Sequence, residues 1–145
     1  MDEVVAGVWH WQAPHPEWTP AESWPELVSS YAIDDGVQLT LVDPLAVPSE
    51  ILRLADDRES AVVLTAPWHE RDARTLVEHL GLPVFAPRPD AAADLVRKYG
   101  ITLERAAGGS PDVAWLLAEH RDHAHLYEAG DRLPGGIEAF RGWEH

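Results

Sequence analysis

Residues Ala61 to Thr65 (AVVLT) form a continuous apolar run, and Ala66-Pro67 ends it. A strand of that composition has no face it can leave in water, so layers are needed above and below it. Glu70 to Leu80 follows, with Ala73, Leu76, Val77 and Leu80 recurring at helical spacing and Gly81 standing where a helix C-cap glycine belongs. Pro83 to Ala86 (PVFA) reads as the next short strand. Strand, helix and strand in this order define a βαβ-type unit with right-handed connections, so the expected class is α/β, a mixed β-sheet flanked by helices.

The segments before this unit are strand-like. Val4 to Trp11 (VVAGVWHW) is rich in β-branched and aromatic residues, and the four prolines between residues 14 and 25 then exclude a regular element. Leu27 to Ile33 and Val37 to Val42 are separated by Asp34-Asp35-Gly36, a connection that predicts an antiparallel hairpin. Pro48-Ser49-Glu50 opens a short helix over Ile51 to Ala55. Beyond Ala86, helices are expected over Asp90 to Lys98 and Val113 to His120. Strands are expected over His125 to Glu128 and Ile137 to Arg141, joined by the turn-rich stretch 130–136. The length of 145 residues suits a single domain spanning 1–145.

Charge narrows the partners. Eleven Lys and Arg face 25 Asp and Glu, a formal net charge of -14 that repels phosphate backbones and anionic membranes, so neither nucleic acid nor a membrane is expected. Without cysteine, a metal site has only His, Asp and Glu to draw on. No apolar run approaches membrane-spanning length and Met1-Asp2-Glu3 starts acidic, unlike a secretory signal, so the expected location is cytoplasmic. There is no Gly-x-Ser-x-Gly nucleophile motif, and Gly108-Gly109 and Gly135-Gly136 lack the setting of a phosphate-cradling loop. Of seven tryptophans, Trp9, Trp11, Trp18, Trp24 and Trp68 lie in the first half, where they serve a core or line a contact surface.

Four features in order carry a family resemblance: a hairpin ending in Leu41-Val42-Asp43-Pro44, a buried strand ending at Thr65, the polar segment Thr65 to Asp72 (TAPWHERD) opening a helix, and Ala129 to Phe140 (AGDRLPGGIEAF). This order resembles the N-terminal half of a metallo-β-lactamase-fold protein. The resemblance implies half of a four-layer αββα sandwich, with Asp43 supporting a metal site. It also implies a His-x-His-x-Asp-His ligand motif in the strand-to-helix turn and a further histidine after the late strand pair. With His69 in the place of the second histidine of that motif, Pro67 replaces the first, Arg71 the Asp and Asp72 the last. The implied ligand set becomes His69, Asp72 and His145 around one divalent ion: zinc, iron or manganese. Proline offers no donor atom and Arg71 brings a fixed positive charge, so a dinuclear zinc centre is not expected.

His69 and Asp72 stand three residues apart, on one face of a helix start. The plainer account makes Glu70 and Asp72 first-turn acids that complement the helix dipole. His120 and His123 are also three apart, with His125 beyond them. They can bring two imidazoles together, and beside Arg121 and Asp122 they read more simply as solvated or C-terminal capping groups. His10 alternates with Trp9 and Trp11 along a strand and so faces away from both, while His15 lies in the proline-rich loop.

Two functional readings follow. One is a domain of this family that has lost catalysis and serves as a binding or interaction module, with the tryptophan-rich region as its contact surface and a small molecule as a possible ligand. The other is a metal-dependent hydrolase whose single ion activates water. A chain that supplies one sheet of a two-sheet sandwich leaves an apolar face, so a homo-oligomer, in the simplest case a dimer, or a covering partner is expected.

Overall fold

The computed structural model describes residues 1–66, 71–87 and 118–139. The chain builds a seven-stranded mixed sheet in which spatial order repeats chain order, β1 to β7, so α/β class and mixed sheet are as the sequence predicts. Four antiparallel strands come first: β1 (Asp2–Val5), β2 (Val8–Pro14), β3 (Leu27–Asp34) and β4 (Gln38–Val42). Parallel strands follow: β5 (Glu59–Val63), β6 (Val84–Pro87) and β7 (Ala124–Tyr127). Helix α1 (Ser49–Asp57) connects β4 to β5 and α2 (Ala73–Leu80) connects β5 to β6.

Most local expectations hold. The β3–β4 turn closes as read: the Asp34 carboxylate accepts Gly36 N–H at 2.9 Å, and Asp35 accepts Val37 and Gln38 N–H at 2.9 and 2.7 Å. Those backbone donors, Gln38 first, hold the Asp35 carboxyl below its ordinary range. Gly81 ends α2 in the left-handed conformation at φ 65°, returning its N–H to Val77 O. β5 is the central strand that the AVVLT run predicts, with Ala61, Val62 and Val63 all buried between β4 and β6.

Two expectations change, and two expected helices lie wholly or mostly outside the described residues. The Val4 to Trp11 strand is a hairpin of β1 and β2, turned at Ala6-Gly7, where Gly7 takes φ 79° and its carbonyl accepts Asp34 N–H at 2.7 Å. Ile137 to Arg141 shortens to β9 (Ile137–Glu138), which pairs with β8 (Arg132–Leu133) in a separate two-stranded sheet rather than extending the main one. The Asp90 to Lys98 helix lies outside the described residues, and of the Val113 to His120 helix only Ala118 and Glu119 are described as helical.

Alternation assigns the faces. Trp11, Ala32, Leu39, Leu41, Val62 and Val84 point to one face and join Ile51 of α1 and Ala73, Leu76 and Val77 of α2 in the main core. On the other face Val63 packs with Leu133 and Ala139 of the β8–β9 unit, with Phe85, Tyr127 and Ile137 around them. Gly135, at φ 79°, lies so close to Thr40 that a Cβ there would stand 2.9 Å from its hydroxyl. The β8–β9 unit therefore covers the centre of the second face. Toward β1 to β3 that face carries Val8, His10, Ile33 and Tyr31, the last 39% exposed, and Val5 beside them is 63% exposed. Among the described residues this part of the face is mixed aromatic, apolar and polar.

Among the described residues no helix is long and apolar enough to cross a membrane.

Candidate functional site

In an open α/β sheet, ligands gather outside the carboxyl ends of parallel strands, and here that edge brings together Asp43 after β4, Thr65 after β5, Tyr127 at the end of β7, and Arg71 and Asp72 before α2. Asp43 leaves β4 at φ 48°, a left-handed conformation that turns the chain sharply. Its N–H donates to Val63 O at 3.0 Å, the residue is only 7% exposed, and both carboxylate oxygens accept from Thr65. Thr65 N–H donates to Oδ1 at 2.8 Å and the Thr65 hydroxyl donates to Oδ2.

The loop that starts at Asp43 is held at every backbone polar group as far as Ala46 N–H. The Ser30 hydroxyl donates to Asp43 O at 2.8 Å and accepts Leu45 N–H at 3.1 Å. The Trp11 indole N–H donates to Leu45 O at 2.7 Å. Asp72 N–H donates to Pro44 O at 3.0 Å, and Asp72 Oδ2 accepts Ala46 N–H at 2.6 Å. Buried polar groups are costly unless paired, and this loop achieves full pairing with side chains drawn from β2, β3 and the start of α2.

Arg71 completes the corner. One guanidinium nitrogen, Nη1, donates to Ser29 O and to Asp43 O, both at 2.6 Å. Reaching both carbonyls goes with a backbone at φ 46°, a conformation unfavourable for any residue but glycine. Half-burial lowers the guanidinium pKa and the Asp43 charge works against that shift, so the group stays a cation. Tyr127 donates its hydroxyl to Leu64 O. Burial first, and then the negative charge of Asp43, push its pKa up to about 12, so it stands neutral at physiological pH.

Of the ligand set that the sequence suggests, His69 and His145 lie outside the described residues. Asp72 is described, at the N-cap position of α2, but its carboxylate reaches across to Ala46 rather than capping its own helix. The carboxylates of Asp43 and Asp72 are engaged by backbone and hydroxyl donors, and a fixed cation lies against Asp43.

The other histidines separate. His10 bonds to the Ser29 hydroxyl at 2.9 Å and packs on Tyr31 with ring centroids 4.9 Å apart, on the face away from Trp9 and Trp11 as alternation predicts. His15 accepts Glu17 N–H at 3.1 Å and meets Trp24 edge-on. His125 stacks on Phe85 at 4.7 Å. Trp11 is buried and Trp9, Trp18 and Trp24 are partly buried. The Trp18 and Trp24 indoles are bonded within the loop, to Trp24 O and the Glu22 carboxylate. Trp11, Trp18 and Trp24 thus each donate the indole N–H to a protein acceptor, while Trp68 lies outside the described residues.

Neither a scan of protein-family models nor a search of curated proteins finds a match to the chain.

Proposed function

We propose that this chain is a metallo-β-lactamase-like domain without catalytic activity, kept as a binding or interaction module. The observation that carries the reading is Arg71: its guanidinium is bonded to the carbonyls of Ser29 and Asp43, so the corner already contains its own cation. A water-activating ion there would meet like charge and find the Asp43 carboxylate already hydrogen-bonded to Thr65. Elemental analysis of protein purified without chelator tests this. The expected result is that zinc, iron and manganese content does not change between the native chain and Asp72→Asn. A stoichiometric ion that Asp72→Asn or His69→Ala releases would overturn the reading in favour of the single-ion hydrolase.

The surface offered to a partner is the β1–β3 part of the second face, where the tilted rings of Tyr31 and His10 pack together beside Val5, Val8 and Ile33. An aromatic pair amid aliphatic groups is the kind of patch that association buries, and a second copy of the chain is the simplest cover. Sedimentation velocity should give the mass of a dimer, and Tyr31→Glu should return it to that of a monomer. A native chain that stays monomeric up to high micromolar concentration would refute self-association.

A further inference from the structure

We propose that Glu78, Glu119 and His120, with His123 beside them, form a site for one first-row divalent metal ion such as zinc. The topology brings them together. Glu78 lies near the end of α2, just before the chain enters β6, and Glu119 to His123 lead directly into β7. Because β6 and β7 are parallel neighbours, both approaches lie at their amino ends, at the opposite edge of the sheet from Asp43 and Arg71.

Donor atoms of Glu78, Glu119 and His120 all lie within 4.8 Å of one another. His120 Nε2 stands 3.7 Å from Glu78 Oε1, too long for a good hydrogen bond. It is close to the separation of about 3.4 Å that two ligands take around a tetrahedral ion with bonds of about 2.1 Å. Both glutamates are exposed, so their side chains can close the remaining gap without moving backbone.

His123 supplies an independent observation. Its Nδ1 is buried with no hydrogen-bond partner, and its ring lies edge-on to that of His120 at a centroid separation of 6.0 Å. A shielded imidazole nitrogen ordinarily finds a proton donor, an acceptor or a metal, and this one belongs to the ring that packs edge-on against His120. Two carboxylates with one or two imidazoles favour zinc and its neighbours over calcium or magnesium, which prefer oxygen alone. A bound ion would tie the end of α2 to the segment that enters β7. His120, which the sequence leaves as a solvated or capping group, would then be a ligand, with the His123 ring lying against it.

Isothermal titration of the chelator-stripped full chain with zinc chloride tests the site, alongside thermal melts and the visible spectrum of the cobalt(II) form. The expected result is one ion per chain, a raised Tm with zinc, and affinity weakened by on the order of tenfold to a hundredfold in both Glu78→Gln and His120→Ala. His79→Ala, which removes an exposed histidine outside the group, should bind as the native chain does. Glu78→Gln changes only an exposed side chain, so it remains informative if His120→Ala folds poorly. Absence of zinc binding, or native affinity in Glu78→Gln, overturns the site. Binding that survives both substitutions but is lost in Asp72→Asn overturns it too, and assigns the ion to the Arg71 corner against the reading proposed above.

Discussion

Arg71→Ala should lower the unfolding free energy by about 2–4 kcal/mol, a fall in Tm of roughly 10 °C for a chain of this size. The substitution removes two charge-assisted hydrogen bonds at once and leaves the carbonyls of Ser29 and Asp43 partly shielded from water. A backbone effect can be separated from the side-chain effect, because residue 71 has φ 46°. Arg71→Gly loses the same bonds but is free of the left-handed penalty, so it should be more stable than Arg71→Ala by about 1 kcal/mol. Urea denaturation of the three chains measures both differences. If Arg71→Ala stays within about 0.5 kcal/mol of the native chain, the guanidinium is an ordinary surface group and the self-contained corner is wrong.

Trp11→Ala should be costlier still, about 3–5 kcal/mol, a large fraction of the about 5–15 kcal/mol that holds an ordinary domain folded. Trp11 is buried in the main core and its indole N–H donates to Leu45 O, so truncation opens a cavity and takes away that carbonyl's donor together. Trp11→Phe divides the two losses. It keeps an aromatic ring in the core and removes the N–H, so it should cost about 1–3 kcal/mol, chiefly from the unpaired Leu45 carbonyl. Near-equal stability of Trp11→Phe and the native chain would mean that water reaches that carbonyl and that the loop is less closed than described. Circular dichroism melts with matched urea titrations distinguish these outcomes.

What can be read in the sequence is what local chemistry determines. The β3–β4 hairpin follows from Asp34-Asp35-Gly36, the end of α2 from Gly81, and the central position of β5 from an apolar run with no polar face. The split between β1 and β2 is hidden because Gly7 sits inside a run of strand formers, and the need for its left-handed φ arises from the contact with Asp34, far along the chain. The corner is harder. Asp43 and Arg71 stand out in the sequence, but as a metal support and as a charge hostile to metal. In the structure Thr65 donates to the Asp43 carboxylate and Arg71 donates to two backbone carbonyls. Ser30, Trp11 and Tyr127 contribute through bonds spanning 13 to 63 residues of chain, and carbonyl acceptors leave no mark in a sequence pattern. The sign of the Arg71 charge is legible, whereas its geometry is not.

The coincidence of strand order with chain order bears on how the domain can be made. No strand waits for a later one to be inserted between it and its neighbour, since each adds to an edge already present. Every closure spans a single connection, which keeps the entropic cost of each step low. As the chain leaves the ribosome, the β1–β4 meander can form first and offer β4 as the template for β5, and β6 and β7 can then be laid down in turn. The corner built by Asp43, Ser30 and Trp11 gains Arg71 and Asp72 only when the entry to α2 emerges, so its last hydrogen bonds fasten a sheet edge that is already assembled.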